Sequence, residues 1–295
     1  MIERTLERAF QTLHERTERP VPWSGDAEAR WSETEFSRNY ARAAVRDAVT
    51  TSQELEHIVA AAELSIHPSS QELKDVLDLG CGDGRLLLPL ARMGHRGFGF
   101  DLGPSPVNTL KELAGRHALA VEAITADLRS FSKGELSLGP REGFDLALLS
   151  FGTLGAVPRP EGIELLSALS RRMKQGGIVH LDTGLSVGFA EELDGRQEWW
   201  TSEDFVPGRG AQLVLDDQAY YTKERVFVRR SYSIFLDGSS RFTELTQTSQ
   251  LYECEELSEI LNEEGLEVEE KSGDFLGTPY DSASSENLVL VARKK

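Results

Sequence analysis

The chain has 295 residues, enough for one large domain or a domain with an appended lid, and its 39% hydrophobic content supports a packed core rather than disorder. A net charge of -17 argues against the counterion-replacing contacts on which nucleic-acid binding depends, and no basic stripe with interleaved aromatics offsets it. No apolar run reaches the roughly 18–20 residues of a membrane span. The N-terminal segment is charged with no apolar signal core, and two cysteines, Cys81 and Cys254, exclude a disulfide scaffold. The expectation is a cytoplasmic protein with no membrane or nucleic-acid partner.

Residues 2–18 place Ile2, Leu6, Phe10 and Leu13 at helical spacing, until RPVPWSGD breaks the pattern with two prolines and a glycine. Residues 33–48 and 52–64 read as helices, the second with Leu55, Ile58, Val59 and Ala62 along one face. Residues 1–72 are therefore expected to form a helical cap or lid. From Asp75 short apolar runs alternate with helical stretches: VLDLG and RLLLPLARM, GFGFD and SPVNTLKELAGRH, AVEAITAD, FDLALLS and EGIELLSALSRRM, then GGIVHLD. Near-continuous apolar strands are what a parallel sheet buried on both faces demands, and alternation with helices indicates a doubly wound α/β sheet over residues 73–200. Met93-Gly94 and Gly176-Gly177 fall where helix C-caps are expected. The period then changes. Residues 211–221, 225–236 and 241–252 read as long strands, with Asp237-Gly238 as a hairpin turn, so 201–252 is expected to be an antiparallel β insert. A helix at 254–264 and strands near 266–271 and 286–293 place the last segment, 253–295, back in the core.

The segment VLDLGCGDGR, residues 76–85, carries the strongest chemical signal. Glycines 80, 82 and 84 follow a buried strand and open a helix, where absent side chains let a ligand approach the backbone and meet the free N–H groups of the helix start. A tight strand-to-helix turn without a ligand has the same pattern. Asp101 ends the next strand about 20 residues on, where a carboxylate suits the two hydroxyls of a ribose. A nicotinamide dinucleotide turn favours G-x-G-x-x-G, but here the third glycine comes one position early and Arg85 takes its place. Asp127, past the third strand, can accept from an exocyclic adenine amine with Leu128 against the ring, or can cap a short helix at 128–132. The strand of FDLALLSFGTLGAV delivers Ser150 and Phe151 to the crevice beside the first strand, the topological switch point.

Taken in order, these elements resemble the S-adenosylmethionine (SAM) binding core of class I methyltransferases over residues 75–183. The D-x-G-x-G-x-G turn is Asp78, Gly80, Gly82 and Gly84, and Lys174 to Gly177 is similar to the family's turn before the fifth strand. The resemblance implies a seven-stranded, mostly parallel Rossmann-like sheet with the final strand antiparallel. It also implies SAM as cofactor, S-adenosylhomocysteine as product and no metal. It implies a cofactor surface of Asp78, Gly80, Cys81, Gly82, Gly84, Arg85, Asp101, Leu102, Asp127, Leu128, Ser150 and Phe151, with Asp78 toward the methionine ammonium. The strand insert resembles that of small-molecule methyltransferases, where it roofs the substrate pocket or builds a homodimer interface. The N-terminal helices resemble a lid, with Trp31, Phe36 and Tyr40 as aromatics for a sulfonium or as plain core contacts.

The expected reaction is methyl transfer to oxygen or nitrogen of a small molecule, aligned by the protein and needing a base only for a protonated nucleophile. Candidates for that base are His180 and Asp182 on the fifth strand and Tyr220 and Tyr221 on the insert. A lone histidine in a buried strand such as His180 is usually a satisfied core residue, and Tyr220 and Tyr221 read equally as ordinary strand residues packing on the lid. A protein or peptide acceptor, a SAM-fold protein without turnover and a nicotinamide oxidoreductase are the competing readings. The six histidines show no metal-ligand spacing, and no C-x-x-C, G-x-S-x-G or phosphate-loop Lys-Ser/Thr ending occurs. The fourth-strand segment also lacks the Asn/Asp-Pro-Pro-aromatic box of amino-methylating DNA enzymes.

Overall fold

The computed structural model describes residues 19–23, 48–202, 211–236 and 242–295. The expected lid residues Trp31, Phe36 and Tyr40, the helix at 2–18, most of that at 33–48 and the Asp237-Gly238 turn lie outside the described residues. Within them, α1 (Ala48–Ala61) precedes a run of alternating elements: β1 (Asp75–Leu79), α2 (Leu87–Arg92), β2 (Arg96–Asp101), α3 (Pro104–Arg116), β3 (Val121–Thr125) and α4 (Leu128–Ser132). There follow β4 (Phe144–Leu149), a 3-10 turn (Thr153–Ala156), α5 (Arg159–Arg172), β5 (Met173–Asp182) and α6 (Val187–Glu192). The chain then enters β6 (Gln197–Ser202), β7 (Gln212–Tyr221), β8 (Val226–Phe235) and β9 (Phe242–Gln250). It ends with α7 (Cys254–Glu263), β10 (Leu266–Ser272) and β11 (Val289–Lys294).

Seven strands form one sheet in the order β10-β11-β5-β4-β1-β2-β3. β4, β1, β2 and β3 pair in parallel, as do β4 and β5, while β11 runs antiparallel to both β5 and β10. The period-2 alternation of each central strand supplies two cores. Leu77, Leu79, Ala147, Leu149, Val179 and Leu181 point to the face covered by Leu165 and Leu169 of α5 and Leu257 and Leu261 of α7. Val76, Leu146, Leu148 and Ile178 point to the opposite face, under Ile58 of α1, Leu87 and Leu90 of α2, and Val107 and Leu110 of α3. Each such fully buried leucine or valine contributes about 1.5–3 kcal/mol, which is why these strands are apolar nearly throughout. No helix among the described residues is long and apolar enough to cross a membrane.

Helix starts follow local chemistry. Prolines stand at the first turn of α3 and α5, where no intrahelical N–H is lost. Glu253 and Glu256 form a reciprocal capping box at the start of α7, so part of the acidic 253–270 stretch caps a helix. Two expectations are corrected. Gly176-Gly177 is not a helix cap: α5 already ends at Arg172, and both glycines lie in β5, where its register with β4 is irregular. The β insert also starts earlier than 201, because β6 pairs along its length with β7.

The second sheet is antiparallel, in the order β6-β7-β8-β9. Val187, Ala190 and Leu193 of the α6 region pack on Tyr220, Phe227 and Leu251, which fastens the insert to the core. β9 passes close to the 3-10 turn. A Cβ on Gly155 would lie 2.6 Å from the Gln250 carbonyl oxygen, so only glycine lets the two backbones meet there.

Candidate active site

A cavity of about 470 Å³ opens at the C-terminal ends of β1, β2 and β4 and extends to β9, inside the usual range for a small-molecule site. One end is built by the glycine turn. Gly80 and Cys81 both donate their N–H groups to the Phe100 carbonyl, at 2.9 and 3.0 Å, which ties the turn to β2. Gly80 has φ +77°, and a Cβ there would come within 2.8 Å of Thr153 Oγ1. Gly82 has φ +53°, and a Cβ there would meet nothing within 4 Å, so its bare Cα faces open space. Gly84 is different. It does not line the cavity, and its φ of +88° sets a Cβ 2.3 Å from Leu110 Cδ1, so its glycine serves the packing of α3 rather than a ligand.

Asp101 joins this turn to the end of β2. Its Oδ2 accepts from Gly82 N at 3.0 Å and its Oδ1 from Gly103 N at 2.7 Å. Burial raises its pKa above the ordinary carboxylate value, and those two N–H groups partly offset the rise. Asp78 lies buried on β1 beside the same turn. Desolvation pushes its pKa up to about 8, with Arg85 pulling it down and the Glu54 and Asp101 carboxylates pushing further up. Asp127 caps α4, accepting from Arg129 N at 2.7 Å, and its side chain also lines the cavity. Ser150 Oγ is buried in the wall with no protein hydrogen-bond partner, an orphaned polar atom that a ligand can satisfy. Phe151 sits half-exposed at the cavity with φ +58°, a conformation that costs a non-glycine residue about 1–2 kcal/mol.

Eleven of the twelve expected cofactor residues thus line one cavity: Asp78, Gly80, Cys81, Gly82, Arg85, Asp101, Leu102, Asp127, Leu128, Ser150 and Phe151. The expected bases do not. His180 is fully buried, its Nε2 2.9 Å from His57 Nδ1, and His57 Nε2 is 2.9 Å from Glu270 Oε1. Asp182 is fully buried too, accepting from Phe151 N at 2.7 Å and Gly184 N at 3.0 Å, so its carboxylate pins the turn after β4. Tyr220 is packed among apolar side chains behind β7, and burial pushes its pKa up to about 12. Tyr221 donates its hydroxyl to the Pro20 carbonyl at 2.6 Å. None of the four lines the cavity.

The other half of the cavity escaped the sequence reading. It is lined by Trp23, by Gly152 to Thr153 and Ala156 to Pro158, and by Thr246 to Ser249 of β9. Trp23 is held there by its backbone N–H, which donates to Thr248 Oγ1 at 3.1 Å. The available signals were a tryptophan just after two prolines and a run of hydroxyl and amide side chains in a long strand. No group of three or more His, Cys, Asp or Glu able to hold a metal ion occurs among the described residues.

Strand order, glycine turn and paired carboxylates together reproduce a known pattern, and residues 76–177 match the family model described as a methyltransferase domain. These residues are similar to the core of class I SAM-dependent methyltransferases. A cypemycin N-terminal methyltransferase from a Streptomyces species is 27% identical over 223 residues, covering 75% of this chain and 84% of that one. A ubiquinone biosynthesis O-methyltransferase from Bradyrhizobium diazoefficiens is 28% identical over 174 residues, 55% of this chain and 63% of its own length. Among solved structures, the CcbJ methyltransferase from Streptomyces caelestis superposes with a TM-score of 0.69 at 18% identity, covering 90% of this chain and 98% of that one. SAM-bound CalS10, an amino pentose methyltransferase from Micromonospora echinaspora, gives 0.62 at 17% identity, covering 88% and 96%. The cavity has the features that suit SAM: an open glycine Cα, a carboxylate placed for a ribose, a buried carboxylate for an ammonium and an orphaned hydroxyl.

Proposed function

We propose that this methyltransferase acts on oxygen or nitrogen of a small-molecule acceptor held between the glycine turn and β9. SAM, when bound, supplies a methyl activated by its sulfonium charge, which an acceptor lone pair takes in line, leaving S-adenosylhomocysteine. The observation that carries this reading is the continuity of one cavity from Gly82 and Asp101 to Phe151 and Thr246–Ser249. Among similar proteins one is named for the N-terminus of cypemycin and one as an O-methyltransferase, which supports nitrogen or oxygen as the acceptor here.

The residues divide the work. Gly82 and the carboxylates of Asp101 and Asp127 hold the nucleoside, Asp78 and Arg85 the amino-acid end. Ser150 and the strained turn at Phe151, pinned by Asp182, stand where cofactor and acceptor meet. The wall at β9 offers hydroxyl and amide groups and so suits a polar, uncharged acceptor surface. The catalytic contribution is then alignment and exclusion of water, which supplies roughly 7–11 kcal/mol in favourable systems.

Calorimetry with SAM, S-adenosylhomocysteine and NAD, followed by a mass-spectrometric screen of small amines and alcohols for gain of a methyl group, tests the reading. Binding of the first two but not NAD, with at least one methylated product, is expected. Binding of NAD without the adenosyl sulfur compounds would overturn it.

A further inference from the structure

Arg85 reaches the cavity from the start of α2, and the group that aims it is not part of the core sheet. Its Nη1 lies 2.6 Å from Glu54 Oε2 and 3.5 Å from Thr51 Oγ1, both on α1. Glu54 is fully buried, on the inner face of α1 with Ile58 one turn on. A buried ion pair of this kind is seldom kept for stability, because an apolar pair of similar volume serves as well or better. One member of this pair, Arg85, instead lines the ligand cavity, and both members act electrostatically on the Asp78 carboxyl group.

The charges have an order. Asp78 offers a carboxyl group that ionises beside an ammonium, and Arg85, which acts on it electrostatically, offers a positive group lining the same cavity. That is the complement of a zwitterionic amino acid, whose ammonium and carboxylate leave the same carbon. A guanidinium presents five donors in a rigid fork, so engaging Nη1 fixes its plane and leaves further donors for a ligand. The helix that does the engaging is itself held by a second polar contact three residues on, the His57 to His180 bond at 2.9 Å. α1 lies outside the segment that matches the methyltransferase domain.

We propose that Glu54 is a positioning residue for the amino-acid end of SAM: it holds Arg85 so that the guanidinium meets the cofactor's carboxylate while Asp78 meets its ammonium. α1 is thereby part of the cofactor site. This rests on the assignment of the cavity to SAM. The test compares SAM and S-adenosylhomocysteine with 5′-methylthioadenosine, which keeps the nucleoside and sulfur but lacks the amino-acid portion, by calorimetry on the full chain.

For Glu54→Gln, dissociation constants for SAM and S-adenosylhomocysteine rise at least tenfold, while that for 5′-methylthioadenosine stays within about threefold of wild type. Glu54→Asp, which keeps the charge, stays closer to wild type than Glu54→Gln. Should Glu54→Gln not fold, Glu54→Leu combined with Arg85→Met removes both charges and should show the same selective loss. Equal weakening of all three ligands, or no weakening of any, overturns the proposal. Failure of the wild type itself to bind any of the three would instead sink the assignment of the cavity.

Discussion

The pKa of Asp78 makes cofactor affinity depend on pH in a direction the structure dictates. In the empty protein its folded value is raised from 3.8 to about 8, chiefly by burial, so below that pH the carboxyl holds a proton. Docking an ammonium beside it favours the charged form, and the proton must leave. At pH 7 about nine in ten empty molecules carry that proton, and each pH unit below 8 then costs binding about 1.4 kcal/mol, close to tenfold. Between pH 8 and pH 6 the dissociation constant for SAM should rise roughly fiftyfold, about 2.3 kcal/mol. The stability of the empty protein runs the other way. A raised folded pKa contributes stability that is complete below the unfolded value and is lost as pH rises through about 8, so the empty form weakens over that window and SAM restores it. Calorimetry in buffers of different ionisation enthalpy should count nearly one proton released per SAM bound at pH 7. Asp78→Asn cannot ionise, so its SAM affinity should be weak and flat across the window. 5′-Methylthioadenosine, without an ammonium, should show little slope on the wild type. Affinities within threefold at pH 6 and pH 8, or an Asp78→Asn variant with the wild-type slope, would refute the argument.

Other outcomes follow from single contacts. Asp101→Ala removes the acceptor shared by Gly82 N and Gly103 N, and SAM affinity by calorimetry should fall roughly ten- to hundredfold; wild-type affinity would take Asp101 out of the site. Gly84→Ala meets Leu110 and a positive φ, so urea denaturation should show a loss of about 2–4 kcal/mol, while the folded fraction binds SAM normally.

Much of this architecture was legible because burial on both faces leaves a trace in one dimension. β1 is buried at all five positions, and the apolar Val76, Leu77 and Leu79 in it announce a central strand. The glycine turn was legible for a related reason, since Gly80, Gly82 and Gly84 all adopt positive φ. What the spacing hid was the division of labour among them, because only the packing of Leu110 against α2 reveals that Gly84 faces inward. β6 escaped notice because it is an edge strand: Trp199 and Trp200 are both exposed, so no alternation of inward and outward residues marks it. The polar run Thr246 to Ser249 reads as an ordinary solvated strand until the cavity is seen to end on it.

The position of Asp182 away from the cavity has a reason that concerns strand ends in general. A carboxylate at the C-terminal edge of a parallel sheet stands where ligands bind, but it also stands where loops begin, and loops leave N–H groups unpaired. Asp101 and Asp182 occupy equivalent positions, at the ends of β2 and β5, and both accept from two backbone N–H groups. The difference lies in what they stabilise. The Asp101 partners belong to the glycine turn and the start of α3, so its carboxylate stays at the cavity wall. The Asp182 partners belong to the turns at Phe151 and Gly184, which close over it and leave it fully buried. Its carboxylate balances the strain at Phe151, since a hydrogen bond to a charged acceptor contributes about 1.5–3 kcal/mol against about 1–2 for the left-handed backbone. Asp182→Asn, which places an amide N–H against one of those donors, should therefore cost about 1–3 kcal/mol in urea denaturation and release the Phe151 ring. An unchanged stability would show that the turn holds itself, and that Asp182 has another task.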